Sequence, residues 1–218
     1  MKLRLKLVSA LIVSLTCATA YAADAPSVPA AANLEAGKAK SAMCMACHGA
    51  DGNSPSGAFP SIAGQNASYI AKQLQDYKSG KRVNALMAGI VAALTPEDMQ
   101  NLAAFFASQS IKEQPEAGAD ALALVEQGRA LYQTGRIASA QNTAIAACAA
   151  CHGVAGFGNA PAGYPALHAQ HPAYTELMLK MFRDASRNND LNAVMRQAGH
   201  ALTDDDIRAL AAYTAHMK

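Results

Sequence analysis

The sequence predicts an all-α protein made of two tandem domains, and three observations carry that prediction. The first is an internal repeat. Glu35-Ala36-Gly37-Lys38 answers to Glu126-Gln127-Gly128-Arg129, and Cys44-Met45-Ala46-Cys47-His48-Gly49 answers to Cys148-Ala149-Ala150-Cys151-His152-Gly153 at an offset of 104. Phe59-Pro60 and Gln65 answer to Tyr164-Pro165 and Gln170 at 105; Met87, Leu94 and Phe105 answer to Met195, Leu202 and Tyr213 at 108. Stepwise growth of the offset is what loop insertions produce. The second observation is a breaker-rich stretch, Lys112-Glu113-Gln114-Pro115-Glu116-Ala117-Gly118, near the middle of the chain. The third is apolar spacing of helical period with no convincing strand alternation.

Taken in order, residues 1–22 read as a signal peptide. Lys2, Arg4 and Lys6 precede the apolar run Leu7–Leu15, and Ala20-Tyr21-Ala22 supplies small residues for cleavage. The run is shorter than the roughly 20 residues a spanning helix needs. Cys17 lies within residues 1–22 and should leave with the signal. Cleavage would leave 15 Lys+Arg against 16 Asp+Glu, so the mature chain is near neutral rather than basic. Neither a basic run nor interleaved aromatics suggests nucleic-acid binding.

An Ala/Pro-rich leader opens the first domain, 23–111; a linker spans 112–120, and the second domain spans 121–218. Between the first repeat block and the Cys motif the second half carries 13 additional residues, a longer loop or an extended first helix. The last helix of each half is the clearest element. Thr95-Pro96-Glu97-Asp98 and Thr203-Asp204-Asp205-Asp206 each offer a Thr N-cap with acids in the first turn. Met99, Leu102 and Phe106 follow on one face, as do Ile207, Leu210 and Tyr213 or Thr214. Hydrophobic residues make up 51% of the chain but aromatics only 6%, with no Trp. Two cores of about 90 residues each are thinly filled by such side chains, and a cofactor bound to the folded state would help them.

The chemistry is written in the two C-x-x-C-H pentads. In such a pentad two thiols add to porphyrin vinyl groups and the adjacent His coordinates the iron, so Cys44, Cys47, Cys148 and Cys151 attach two haem c groups, with His48 and His152 as axial ligands. A thioredoxin-like reading of C-x-x-C wants a strand-rich α/β domain. A zinc reading wants Cys pairs brought together, whereas each pair here belongs to its own repeat with its own His. Outside the signal segment every Cys belongs to a pentad.

The second axial ligand decides between electron transfer and chemistry at the iron. Met87 and Met195 are matched by the repeat, each in a loop-like stretch before the Thr N-cap, and are the expected ligands. Met99 falls on the apolar face of a helix, Met178 and Met181 at i and i+3 of another; all three read as core. Met43 and Met45 lie too close to the pentad to reach the opposite face. His168, His171 and His200 have no counterparts in the first half and read as surface or capping residues, and His216 as exposed. Pro60 and Pro165, 12 and 13 residues past their His, are candidates to hold its other ring nitrogen through a carbonyl.

These residues resemble the cytochrome c4 family of dihaem periplasmic cytochromes over nearly the whole mature chain. The likeness rests on Cys44 through Ser54, Phe59-Pro60-Ser61-Ile62-Ala63-Gly64-Gln65, Lys78-Ser79-Gly80 before Met87, the second pentad, and Ala162-Gly163-Tyr164-Pro165-Ala166-Leu167. It implies two class I cytochrome c domains related by a pseudo-twofold axis, with His/Met iron and haem edges close enough for rapid internal transfer. It further implies delivery of electrons to a terminal oxidase; the chain reads as a periplasmic electron carrier, not an enzyme, with a membrane oxidase or a bc1-type donor as redox partner and loose membrane association left open. Two departures bear on the backbone near the second haem: His168-Ala169-Gln170 replaces Ala63-Gly64-Gln65, and the stretch after Phe182 lacks the Ser79-Gly80 turn. The alternatives are a haem subunit of a periplasmic dehydrogenase and a dihaem peroxidase-like enzyme, which would need an open iron and a distal acid/base.

Overall fold

A computed structural model describes residues 32–140 and 143–217 of the chain; the signal-peptide reading lies outside these residues. In the first half, α1 (Leu34–Lys40) leads through one 3-10 turn to α2 (Met45–His48), α3 (Ala67–Lys78), α4 (Ala85–Val91) and α5 (Pro96–Ala107). The second half repeats the order with α6 (Ala119–Thr134), α7 (Ala149–His152), α8 (Pro172–Arg183), α9 (Val194–His200) and α10 (Asp204–Ala215). Only two isolated bridges, Arg136 with Ile145 and Asn159 with Tyr164, interrupt the helices and loops among the described residues. No helix among them is long and apolar enough to cross a membrane.

Helices α5 and α10 start where their Thr caps predict. Thr95 Oγ1 accepts from Asp98 N at 3.0 Å while Asp98 Oδ2 accepts from Thr95 N at 2.9 Å, and Thr203 and Asp206 repeat the exchange at 3.1 and 2.8 Å. Each box satisfies otherwise orphaned N–H groups and contributes about 1 kcal/mol. The 13 additional residues divide between the two forms expected of them. Helix α6 runs on to Thr134, and a loop closed by Arg136 N to Ile145 O and its reciprocal, both 2.8 Å, carries the rest.

Within each half the first and last helices cross at a glycine. A Cβ on Gly37 would stand 2.1 Å from the Asn101 carbonyl oxygen, and one on Gly128 1.9 Å from that of Ala209. The crossing seals each core: Val91, Leu94, Met99, Leu102 and Phe106 in the first, Tyr132, Ile145, Ile207, Leu210 and Met217 in the second. Met99 is buried as expected. Met178 and Met181 are only half-buried, and Met178 turns its sulfur to two arginines between the halves, because its position on α8 faces the other domain rather than its own core.

The halves clasp each other reciprocally. Gln65 donates Nε2 to Ala166 O (2.9 Å) and accepts from Ala166 N (2.8 Å); Gln170 does the same to the Ser61 backbone, at 2.9 and 3.0 Å. Gln65 and Gln170, like Ser61 and Ala166, lie 105 positions apart, so the exchange is the one a pseudo-twofold axis imposes. The segment 112–118 is held on both sides. Lys112 pairs with Asp51 at 2.7 Å, Gln114 donates to Ala169 O at 2.9 Å, and His216 Nε2 donates to Pro115 O at 3.0 Å. His216 is therefore half-buried rather than exposed, since the segment runs across it.

The two departures from the repeat keep the backbone of the first half. Gly64 has φ 63° and Ala169 φ 54°; Gly80 has φ 75° and Ala185 φ 61°. An L-residue in the left-handed region costs about 1–2 kcal/mol relative to glycine, so the second domain holds this geometry under strain. Two outcomes follow for urea unfolding of the holoprotein. Gly128→Ala drives a methyl into a carbonyl and should lose about 2–3 kcal/mol; Ala185→Gly, at an exposed position, should gain about 0.5–1 kcal/mol.

Candidate functional site

Each C-x-x-C-H pentad is a single helical turn. Cys44 O accepts from Cys47 N (3.3 Å) and His48 N (3.0 Å), and Cys148 O accepts from Cys151 N (3.2 Å) and His152 N (2.9 Å). One turn places both thiols along one side and the His directly after them. Gly49 (φ 79°) and Gly153 (φ 78°) end the turns in a region that β-carbon residues avoid. The four pentad cysteines form no disulfide and are half-buried. Burial, and secondarily the neighbouring Cys47, pushes the Cys44 thiol up to about 11; burial does the same for Cys148.

Both histidines are buried and aimed by a proline. His48 Nδ1 donates to Pro60 O at 2.8 Å and His152 Nδ1 to Pro165 O at 2.9 Å. A carbonyl can only accept, so Nδ1 carries the proton and Nε2 keeps its lone pair, the tautomer a metal ligand requires. Burial lowers both pKa values, partly offset by the proline carbonyls, and keeps the rings neutral. The proline loops are themselves pinned: Gly52 O accepts from Ile62 N and Ala63 N at 2.7 and 3.0 Å, and Gly156 O from Leu167 N and His168 N at 2.6 and 3.1 Å. An aromatic ring meets each imidazole edge-on, Phe59 at 6.4 Å and Tyr164 at 5.9 Å between centroids.

Met87 and Met195 are both half-buried, but they lie in the short helices α4 and α9 rather than in loops. The sequence shows too few periodic residues there to announce a helix; Asn84 Oδ1, accepting from Met87 N at 3.0 Å, starts the first one. The second begins differently, from Asn192 (φ 54°) and Ala193 (φ 57°), both in the left-handed region. Beside each Met stands a repeat-matched pair of exposed apolar side chains, Val83 and Leu86 in the first half, Leu191 and Val194 in the second. With a Cys pair outside any disulfide and exposed apolar groups around each Met, the donor set suits an iron porphyrin attached through the cysteines.

The remaining histidines are spent elsewhere. His168 stacks on Phe157 at 4.6 Å and bonds Ala155 O and Glu113 at 3.1 and 2.9 Å; His171 opens α8 and donates Nε2 to Ser54 O at 2.9 Å. His200 is exposed at the end of α9. No group of three or more His, Cys, Asp or Glu among the described residues could hold a bare metal ion. Two features escaped the sequence reading. The Tyr164 hydroxyl lies near Cys151, which raises its pKa, where the first half has Phe59 and no hydroxyl. Arg82 and Arg187, buried between the halves, are also matched at offset 105, and that match was the available signal.

Comparison with known proteins agrees with this geometry. The family model described as cytochrome c matches twice, over residues 34–110 and 125–218. The chain is 42% identical over 185 residues to cytochrome c4 of Pseudomonas aeruginosa, covering 84% of this chain and 88% of that protein. It is 35% identical to a thiosulfate dehydrogenase electron acceptor of Stutzerimonas stutzeri, covering 80% and 78%. The crystal structure of reduced recombinant cytochrome c4 from Pseudomonas stutzeri superposes with a TM-score of 0.79 at 38% identity, covering 86% of this chain and 100% of that one.

The Tyr164 hydroxyl near Cys151 is the clearest difference between the two sites. Tyr164→Phe removes the polar group beside Cys151 and should lower the midpoint potential of the second haem alone, read by redox titration.

Proposed function

As a member of the cytochrome c family and, within it, of the cytochrome c4 family, the chain carries two covalently bound haem c groups, and we propose that it shuttles single electrons in the periplasm with both irons closed to substrate. Bound haem supplies an iron that takes up and releases one electron. The polypeptide does the rest. Cys44 and Cys47 would tether the first haem, Cys148 and Cys151 the second; His48 and Met87 would hold the first iron, His152 and Met195 the second. The observation that carries this reading is the pair of Nδ1–proline hydrogen bonds, which present two buried, neutral imidazoles with Nε2 available for iron. A thioether donor at each iron would favour the reduced state and raise its potential.

The proposed order has the signal segment 1–22 removed on export, a first domain over 23–111, a linker over 112–120 and a second domain over 121–218. The preferred route is from a bc1-type membrane donor to a terminal oxidase. A second reading, acceptor for a periplasmic dehydrogenase, is favoured by the likeness to the thiosulfate dehydrogenase electron acceptor. A peroxidase-like reading finds little support. It needs a distal acid/base, and His168 and His171 are bonded to backbone or linker groups.

The reading is tested on the optical spectrum of the holoprotein, oxidised and then reduced under CO. Wild type should show a methionine–iron charge-transfer band and bind no CO at either haem. Met87→Ala and Met195→Ala should each lose that band at one haem, open it to CO and lower its potential; unchanged potentials would refute the ligand set. Reduction rates by thiosulfate dehydrogenase, set beside oxidation rates by a membrane oxidase, separate the two routes.

A further inference from the structure

The loop that follows the second pentad is tied to its core in a way the first is not. Tyr132, on α6 one turn past the helix crossing at Gly128, is fully buried, and its hydroxyl donates to Gly153 O at 2.7 Å. Gly153 directly follows His152. Its carbonyl also accepts from Gly156 N at 3.1 Å, and Gly156 O accepts from Leu167 N and His168 N at 2.6 and 3.1 Å. Two residues before Leu167, Pro165 O accepts from His152 Nδ1 at 2.9 Å. A run of hydrogen bonds and two residues of backbone therefore lead from a core phenol to the carbonyl that aims the imidazole. The core also underlies this loop directly: a Cβ on Gly156 would stand 2.4 Å from the sulfur of buried Met217.

The first half builds the same loop and anchors it from the other side. At the offset of the first repeat block Ser41 stands where the second half has Tyr132, and its hydroxyl turns back to Lys38 O at 2.8 Å. Gly49 O accepts from Gly52 N at 3.2 Å and from no side chain among the described residues. Instead Asp51 pairs with Lys112 at 2.7 Å, and Asn53 accepts from Lys112 N at 2.8 Å and donates to Ser110 O at 2.9 Å. Ala155 and Phe157 hold those two positions in the second half and have no polar side chain to offer. His168 touches the second loop through Ala155 O and the Phe157 ring, but it belongs to the proline stretch itself and cannot tie that stretch to the core. The glutamine clasps at Ala166 and Ser61 are common to both halves. Burial raises the Tyr132 pKa, so the phenol keeps its proton and stays a donor.

We propose that Tyr132 is a positioning residue for the second iron: its hydroxyl, held on Gly153 O, keeps Pro165 O on His152 Nδ1 and so sets the donor strength of the Nε2 lone pair. The assignment rests on the two-haem reading. A well-made bond from Nδ1–H to a carbonyl makes the imidazole a stronger base, and a stronger base favours the ferric state. Loosening the loop weakens that bond and leaves the reduced state relatively favoured. The first iron takes no part, since its loop is held at the linker by Asp51 and Asn53. One hydroxyl of the core therefore tunes one iron alone.

Tyr132→Phe keeps the ring and deletes only the hydroxyl. The test is redox titration of that holoprotein with the methionine–iron band recorded throughout, together with proton exchange at His152 Nδ1–H, read by NMR of the reduced state. The midpoint potential of the second haem should rise while that of the first keeps its wild-type value. His152 Nδ1–H should exchange about tenfold faster, the scale of one lost hydrogen bond, with His48 Nδ1–H unchanged. Tyr213→Phe is the control: it removes a phenol from the same ring pair, whose oxygen accepts from Gln133 Nε2 at 3.2 Å, and it should do neither. Should Tyr132→Phe yield no holoprotein, Tyr132→Met, which fills the site with a flexible apolar side chain, gives the same reading. An unchanged second midpoint and unchanged exchange, with the band intact and only a lower melting temperature, would make Tyr132 a packing residue and overturn the assignment, leaving the electron-carrier reading standing. A shift of both haems, or the same shift in Tyr213→Phe, would mean a general loosening of the core and overturn it too.

Discussion

Everything in each half hangs on the contact of its first and last helices at a single glycine. At Gly37 and Gly128 the backbone of one helix touches a carbonyl of the other, with no room for even a methyl group. That approach lets a core with few large side chains close: in the second half Tyr132 and Tyr213 reach across it and pack at 5.3 Å, and in the first the neighbouring rings of Phe105 and Phe106 on α5 pack at 5.1 Å. It also fixes where the chain emerges toward the pentad. The short helices α2 and α7 have only four residues each and could not hold their geometry alone.

The second dependence runs from that frame to the imidazoles. Each pentad sets its His directly after the thiols, but ring orientation comes from a proline carbonyl 12 or 13 residues on, and the proline loop is held in turn by Gly52 or Gly156. Rigid elements therefore support the ligand at two removes, the arrangement expected where a small geometric error alters a metal's properties. The same loops also make the interface. Ser61 and Ala166 directly follow the two prolines and are the residues the glutamines clasp, so ligand orientation and domain docking share one piece of backbone.

The symmetry is broken in particular places. The second domain holds left-handed backbone with Ala169 and Ala185 where the first uses Gly64 and Gly80, and it enters α9 through two more left-handed residues. It adds a hydroxyl at Tyr164 and sets Met181 where the first domain has Asp76. Strain of this kind persists only where surrounding structure over-determines it. The result is two sites with one plan and different surroundings, which gives a physical basis for unequal potentials in a carrier with two irons.

How much of this was legible depends on whether the determining interaction is local. The pentads, the Thr capping boxes, the glycine in each first helix and the repeat with its stepped offset are short-range patterns, so the sequence by itself determined the helical class, the two-haem chemistry and the matched methionines. The proline candidates were also readable, because the repeat put them at nearly equal distance from each His. What only the tertiary structure decided is non-local. The short helices around Met87 and Met195 arise from caps and packing that seven-residue periodicity does not reveal. The left-handed alanines read as lost turns, because a residue type reports preference while the neighbouring fold sets the dihedral. The roles of Gln65, Gln170, Arg82 and Arg187 depend on which surfaces of the two halves face each other, and facing surfaces leave no spacing along the chain, only the bare fact that the same residue recurs.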